Sequence, residues 1–231
     1  SMNGTRFLAL PFLSVGCLAA AAAQGAVQAE LAYFGRATVK IRTASGFVLY
    51  IDPYAPGNYS EPADLVLVSH GHGDHNRVDL VKMRPGAVIA SAPGAVPGKG
   101  VRFLAEGDSF QAGGVTVRAL PASNKNHRRG ETLGFLVSFD GIVVYHASDT
   151  NWLPEMEGFS KYGIGYALLP CDGFYNMGPE EASRCAAAVK AGVVIPIHSS
   201  KSELFDGKNA RAVRGPEVLV LEPGQKTPLR P

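Results

Sequence analysis

A short run in the first half of the chain combines three histidines and an aspartate. It reads His70-Gly71-His72-Gly73-Asp74-His75 and follows the apolar stretch Val66–Val68. Imidazole nitrogens and carboxylate oxygens are ligands that suit zinc and similar ions. Since glycine has no Cβ, we expect Gly71 and Gly73 to let the chain curl so that alternate side chains point at one centre. The run predicts a metal site, because an exposed polar loop fits a single histidine better than such a cluster.

Other candidate ligands stand where apolar strands are expected to end. Three of the six histidines lie outside the first run: His127, His146 and His198. His198 follows the apolar stretch Val193–Ile197, and Asp149 comes soon after Ile142–Tyr145. Strand ends and loops on a rigid scaffold are where proteins place binding and catalytic groups. We therefore expect these side chains to face a common cleft.

The elements that must position these groups are mostly short strands. Runs of β-type residues between turn residues predict strands at Thr38–Ile41, Phe47–Ile51, Leu65–Val68, Ala87–Ala90, Val115–Leu120, Leu133–Phe139, Ile142–Tyr145, Ala167–Leu169, Val193–Ile197 and Val218–Leu221. Helical patterns are fewer: Asn76–Met83, a short turn at Pro154–Phe159, Pro179–Lys190 and Ser202–Val213. The mixture indicates two sheets packed together with helices outside.

These blocks resemble the metallo-β-lactamase-fold hydrolases, and more narrowly their UlaG-like branch. The resemblance spans roughly residues 31–199. It rests on four blocks in the family's order: His70–His75, Tyr145–Thr150, Leu168–Pro170 followed by Met177–Ala182, and Ile195–His198. It implies an α/β (α+β) fold, a four-layer αββα sandwich of two mixed β-sheets flanked by helices.

The resemblance also implies two adjacent divalent ions, Zn²⁺ before Mn²⁺ or Fe²⁺. The first ion would be held by His70, His72 and His127. The second would be held by Asp74, His75 and His198. Asp149 would bridge both ions and, with Asp74, take part in catalysis. His127 has the weakest local signature, and a solvent-facing loop histidine is its alternative.

His146 stands three residues before Asp149, so strand alternation need not point both side chains at the same ion. We interpret it as a catalytic group on the substrate side of the centre or behind its ligands. A plain buried histidine is the alternative.

Two positions depart from the family's usual pattern. Arg36 follows Gly35 where relatives often have histidine, and Asp172 precedes Gly173 where relatives often have a second glycine. Both positions are expected near the cleft, and we interpret them as candidate substrate contacts. Arg36 could bind an anionic group, or it could form a structural ion pair.

Such a site suits a metal-dependent hydrolase that uses a metal-bridging hydroxide to cleave an ester, a lactone or a phosphodiester in a small neutral or anionic molecule. The alternative from another class is a metal-binding sensor or docking module without turnover. A third reading keeps the scaffold and replaces hydrolysis with redox chemistry on iron.

Composition limits the number of domains and the classes of partner to be expected. With 231 residues, a formal net charge of +2 and 18% charged residues, the chain fits one globular domain and has no charge signature for nucleic acid. Beyond the first residues the sequence holds Cys171 and Cys185, which could form one disulfide or remain buried thiols.

Within residues 1–29 we interpret Ser1 as an added residue and the remainder as a secretory signal peptide. We expect a single domain over residues 30–231. The segment has a basic start at Arg6, an apolar stretch, and small residues before Glu30. We therefore expect a periplasmic or secreted protein without a stable membrane span in the mature chain. A membrane anchor and a lipoprotein attached through Cys17 are the alternatives.

Overall fold

Two seven-stranded β-sheets make up most of the computed structural model, which describes residues 28–231. The predicted leader, apart from its last residues, and Cys17 lie outside the described residues. The first strand begins at Ala29, one residue before the predicted mature start at Glu30. No helix in residues 28–231 is long and apolar enough to cross a membrane.

The strands divide evenly between the sheets. The first sheet contains β1 (Ala29–Gly35), β2 (Thr38–Arg42), β3 (Val48–Ile51), β4 (Ala63–Val68), β5 (Met83–Ser91), β6 (Val101–Phe103) and β14 (Lys226–Leu229). The second contains β7 (Ser109–Ala112), β8 (Val115–Pro121), β9 (Leu133–Phe139), β10 (Ile142–His146), β11 (Tyr166–Pro170), β12 (Val193–Ile197) and β13 (Glu217–Val218).

Both sheets have the same topology. Their strand orders are β14-β1-β2-β3-β4-β5-β6 and β7-β8-β9-β10-β11-β12-β13. In each order the first three pairings are antiparallel and the last three are parallel. Parallel strands end at the same edge of their sheet, so the segments after β3, β4, β10, β11 and β12 can meet there.

The main core lies between the inner faces of the two sheets. Leu31, Ile41 and Leu67 of the first sheet and Phe135 and Ile195 of the second are fully buried in one apolar cluster. This alternation of inward apolar side chains along each strand holds the sheets face to face.

A helical layer covers the outer face of the second sheet. It consists of α1 (Pro179–Val189), a 3₁₀ segment (Pro154–Tyr162) and the short α2 (Gly207–Ala212), which lies against α1. Helix α1 begins with proline and two glutamates, as predicted, and ends at Lys190 in the left-handed conformation. Cys171 and Cys185 are free and buried, so they form no disulfide.

The outer face of the first sheet is covered mainly by a loop. Tyr50 stacks on Tyr59 of that loop with ring centroids 5.4 Å apart, and its hydroxyl donates to the Glu61 carbonyl at 2.8 Å. The predicted helix Asn76–Met83 is wrong, because only Val78–Leu80 forms a 3₁₀ turn. The Ala63 amide bonds to the Lys82 carbonyl at 2.8 Å and thereby draws this segment into the sheet.

The two mixed sheets are confirmed, and the predicted strands between Thr38 and Ile197 correspond to observed ones. Four strands, β1, β6, β7 and β14, were not predicted. The strands β6, β7 and β14 lie at sheet edges and have few buried residues, whereas β1 is almost fully buried and therefore lacks the alternation that marks a half-buried strand. The predicted helix Ser202–Val213 shortens to α2.

Candidate metal centre

All seven predicted ligands converge where the parallel strands of both sheets end. They form three overlapping groups whose ligand atoms lie within 4.8 Å of one another: His70 with His72 and His127, His70 with His75 and Asp149, and Asp74 with His75 and His198. The first group contains the three ligands expected for one ion, and the last contains three ligands expected for the other.

Asp149 lies between the groups. Its Oδ2 is 3.3 Å from His127 Nε2 and 3.5 Å from His198 Nε2, while its Oδ1 is 3.4 Å from His75 Nε2. Its carboxylate therefore faces ligands of both predicted ions. This is the position that a bridging carboxylate needs.

The donor atoms fit bound cations. His75 Nε2, His127 Nε2 and Asp149 Oδ1 are buried and have no hydrogen-bond partner among residues 28–231. Leaving such a group unsatisfied costs about 1–3 kcal/mol. A divalent ion held among these atoms would remove that cost, and the mixture of imidazole and carboxylate suits Zn²⁺.

Four ligand histidines have a polar partner at Nδ1, which is a hydrogen bond for His70, His75 and His127 and an ion-pair contact for His198. The Nδ1 contacts are His70 with Ser69 Oγ at 2.9 Å, His75 with Asp52 Oδ2 at 2.8 Å, His127 with Asn124 Oδ1 at 2.8 Å and His198 with Asp172 Oδ2 at 3.1 Å. The partners leave Nε2 of each ring directed at the ions. Such outer contacts select the ring orientation and raise metal affinity.

The comparisons with known proteins agree with this geometry. Residues 30–198 match the model of the beta-lactamase superfamily domain. A UPF0173 metal-dependent hydrolase from Methanoregula boonei is 33% identical over an alignment of 222 positions, and the match covers 87% of this chain and 99% of the relative. The chain belongs to the metal-dependent hydrolases of the metallo-β-lactamase superfamily.

Solved structures share the fold of this hydrolase. Igni18, a metallo hydrolase from Ignicoccus hospitalis, superposes with a TM-score of 0.68 at 25% identity, covering 87% of this chain and 97% of its own. CmlA, a diiron β-hydroxylase from Streptomyces venezuelae, has a TM-score of 0.67 at 17% identity and covers 87% of this chain and 54% of its own. The second likeness shows the fold alone.

Asp52 is a functional residue of the hydrolase that the sequence analysis missed. Its buried carboxylate accepts hydrogen bonds from the Ser69 amide and the Ser69 hydroxyl, both at 2.7 Å, as well as from His75. Because the Ser69 hydroxyl donates to Asp52, it accepts from His70 Nδ1, so one carboxylate orients two ligands. Asp52 directly follows the apolar strand β3, which is the signal that identified Asp149 and His198.

His146 is not part of the metal centre. Its Nε2 donates to the Ala37 carbonyl at 2.8 Å, and its Nδ1 accepts from the Ser148 amide at 3.2 Å. The ring is fully buried, and burial lowers its pKa. Both ring nitrogens are thus engaged by backbone groups, which favours the buried histidine over the catalytic role predicted for His146.

Asp172 has a positioning role in place of the predicted substrate contact. Its side chain has no exposed area, and its Oδ2 contacts His198 Nδ1. Its Oδ1 accepts from three successive backbone amides, those of Phe174, Tyr175 and Asn176. Asp172 thus holds a metal ligand and shapes the loop beside the cleft.

Arg36 does line the cleft, together with Asp74, Asp149 and His198. It forms none of the ion pairs proposed as its structural alternative within residues 28–231. Its guanidinium donates instead to the carbonyls of Ser200 at 2.8 Å and Lys201 at 3.3 Å.

Gly71 and Gly73 do not play the predicted part. Neither has a positive φ. A Cβ on Gly71 would meet Ala95 Cα at 3.5 Å, an ordinary contact, and a Cβ on Gly73 would meet nothing within 4 Å. The turn over residues 70–75 is closed by a backbone hydrogen bond from His75 to the His72 carbonyl at 3.0 Å.

In the absence of metal ions, the pKa values of the ligand histidines are shifted in opposite directions. Burial lowers the pKa of His70 to about 3. Burial alone would also lower the pKa of His198, but the carboxylates of Asp149 and Asp172 raise it to about 9.

The carboxylates and His75 shift in a complementary way. Burial alone would raise the pKa of Asp149, but His198 and His75 hold it well below its usual range. Burial alone would lower the pKa of His75, but Asp149 and Asp52 raise it well above its ordinary value. The carboxylates are therefore ionised at neutral pH, and His75 and His198 bear protons that an arriving metal ion must displace.

We predict that Asp52→Asn lowers zinc affinity about 10–100-fold, the range typical for loss of a group behind a metal ligand. The amide retains the size of Asp52 but loses the negative charge that holds His75. Competition with a zinc-binding dye would measure the change. Asp64→Asn is a matched control, because Asp64 accepts from the Val48 amide near the opposite end of β4. Equal affinity in the two variants would contradict the role of Asp52.

We also predict that the metal-free protein loses stability as pH rises from about 6.5, the usual pKa of histidine, through about 9, the pKa of His198 in the folded protein. His75 and His198 have raised pKa values in the folded state, so their stabilisation is complete below the unfolded pKa and is lost toward the folded one. Urea unfolding would show a falling free energy of unfolding without metal and a rising one with excess Zn²⁺. His198→Gln should flatten the metal-free slope, and an unchanged slope would refute the assignment.

Proposed function

We propose that the protein is a dinuclear zinc hydrolase that cleaves an ester, a lactone or a phosphodiester in a small molecule. The proposal rests on the position of Asp149. Its two carboxylate oxygens face ligands of both expected ions. A structural site that holds one ion needs four ligands and no such carboxylate. Mn²⁺ and Fe²⁺ could occupy the same ligands.

The chain's own charges suit hydrolysis. Bound zinc would supply hydroxide at neutral pH and stabilise negative charge on the atom under attack. Of the seven ligands only Asp74 and Asp149 are negative, so two divalent ions would keep a positive excess. That excess favours a transition state in which negative charge develops on a carbonyl or phosphoryl oxygen.

Asp74 is the ligand best placed to handle a proton. Its side chain is 30% exposed, whereas the side chains of Asp149 and His198 are almost fully buried. Burial alone would raise the pKa of Asp74, but a hydrogen bond from His198 and the charge of His75 lower it, so Asp74 is ionised at neutral pH. We propose that it accepts a proton from the attacking water and passes it toward the leaving group.

Metal analysis and one variant test the proposal. The protein loaded with zinc should contain close to two ions per chain and hydrolyse at least one of bis(4-nitrophenyl) phosphate, a 4-nitrophenyl ester or a simple lactone. We predict that Asp149→Asn lowers the rate more than about a hundredfold, beyond the effect of losing an outer partner. It should also reduce the zinc content.

Asp108→Asn provides the control, because Asp108 is an exposed loop residue that accepts from the Ala105 amide. One ion per chain, or full activity of Asp149→Asn, would refute the dinuclear mechanism. Two tightly held ions without turnover of any substrate would favour the sensor or docking module. Oxygen-dependent turnover of an iron-loaded form would favour the redox reading.

We further propose that the protein works in the periplasm or outside the cell. The support is the basic start, apolar stretch and small residues of positions 2–29. Expression of the full chain followed by cell fractionation and N-terminal sequencing should find a shortened protein outside the cytoplasm. An intact N-terminus in the cytoplasm would refute export.

A further inference from the structure

A cavity of about 400 Å³ opens beside the metal ligands. Besides the ligands, its walls are formed by Arg36, Asn126 and Tyr175. The volume falls within the range of small-molecule sites, about 300–1,000 Å³. These three walls are therefore in a position to select the substrate.

Arg36 contributes a positive charge that the protein leaves without a counterion. The residue is only 9% exposed, and among residues 28–231 no carboxylate lies within 4.0 Å of its guanidinium. The two backbone carbonyls that it contacts satisfy hydrogen bonds but carry no net charge. A buried charge normally has a partner, because its removal from water is costly.

The backbone of Arg36 is also built into the centre. Its carbonyl accepts from the His198 amide at 2.8 Å and from the Tyr33 hydroxyl at 3.1 Å. Its φ is 52°, in the left-handed region that non-glycine residues enter at a cost of about 1–3 kcal/mol. The chain thus holds Arg36 against a metal ligand in a strained conformation.

Tyr175 forms an aromatic wall of the cavity, and hydrogen bonds to its backbone hold it in place. Its amide donates to Asp172 Oδ1 at 2.6 Å, and its carbonyl accepts from the side-chain amides of Asn124 at 3.1 Å and Asn126 at 2.9 Å. Phe174 packs against the Tyr175 ring at 4.7 Å and 83°. Tyr175 is 37% exposed on the cavity side, and Phe174 behind it is covered in part by the Lys201 ammonium, 3.8 Å from the Phe174 ring centroid.

A second cavity, on the other side of the His72 and His127 ligands, differs in charge. It is lined by Arg128 and Glu131, which pair with each other at 3.3 Å. The cation on that side therefore already has a carboxylate. Of these two cavities, only the one beside Arg36 has a buried cation with no carboxylate partner among residues 28–231.

We propose that the cavity between Arg36 and Tyr175 binds a flat, apolar group that carries a negative charge, such as an aryl carboxylate or an aryl phosphate. Arg36 contacts the anion and Tyr175 contacts the flat group. This inference rests on the proposed function only in treating the metal cleft as the substrate site. It assigns the substrate of this hydrolase to the anionic aromatic class.

Binding to the zinc-loaded protein tests this assignment without turnover. Benzenesulfonate is a suitable probe, because sulfonates are weak metal ligands. Methyl phenyl sulfone keeps the ring without the charge, and methanesulfonate keeps the charge without the ring. Calorimetry should show benzenesulfonate binding at least about tenfold more tightly than either, and tenfold corresponds to about 1.4 kcal/mol.

Variants test the contributions of Arg36 and Tyr175 to binding separately. Arg36→Gln should lower benzenesulfonate affinity about tenfold and leave sulfone affinity unchanged, whereas Arg36→Lys should retain part of the charge selectivity. Tyr175→Ala should weaken benzenesulfonate and sulfone equally and leave methanesulfonate unchanged. Lys208→Met, which removes an exposed cation from α2, is the control and should change none of the three.

The outcomes are distinguishable from failure of the proposed function. Equal binding of benzenesulfonate and the sulfone, or an equal loss of both in Arg36→Gln, would overturn the assignment and leave Arg36 as a support for residues 200–201. Charge-selective binding without hydrolysis would support this site while contradicting the hydrolase mechanism.

Zinc content and thermal unfolding of every variant show whether its centre is intact, and Arg36→Lys decides the case if Arg36→Gln does not fold. Competition of benzoate and phenylphosphonate with the probe would tell carboxylate from phosphate.

Discussion

Buried polar atoms at the edge shared by the two sheets set the constraint on which the rest of the structure depends. His75 Nε2, His127 Nε2 and Asp149 Oδ1 have no hydrogen-bond partner, and they point into one small region. Behind that region, Nδ1 of His70, His75 and His127 is hydrogen-bonded to a hydroxyl, a carboxylate and an amide oxygen. Among residues 28–231, three of the seven buried side-chain atoms without a hydrogen-bond partner thus lie where divalent ions can offset the cost of their desolvation.

Backbone strain is concentrated in the same region. Six non-glycine residues among residues 28–231 have positive φ, and four of them belong to the centre: Arg36, Asp52, Ser148 and His198. The other two, Asp140 and Lys190, are in a hairpin turn and at the end of α1. Strained conformations persist where surrounding contacts over-determine them. Here the contacts are the hydrogen bonds that join the ligands to the groups behind them.

The equivalent topology of the two sheets explains how distant segments reach one point. Asp52 follows β3 of the first sheet, and Asp149 follows β10, which occupies the same place in the second. His70 follows β4, and Asp172 follows the equivalent strand β11. Equivalent positions in the two sheets therefore have different roles. His70 and Asp149 face the predicted ions. Asp52 and Asp172 instead contact the far nitrogens of ligand histidines.

The sequence by itself determined the chemistry of the ligands and the strands that carry them. Histidine and aspartate types, apolar runs and turn residues are local properties, so the ligand cluster, Leu133–Phe139 and Val193–Ile197 could be predicted from short windows. Only the tertiary structure decided what lies behind each ligand. Asp52 meets His75 across 23 residues, and Arg36 meets Ser200 across 164. Such contacts depend on how the sheets pack. For this reason local pattern could not reveal the backbone partners of His146, find Asp52 or show that Arg36 has no carboxylate partner among residues 28–231.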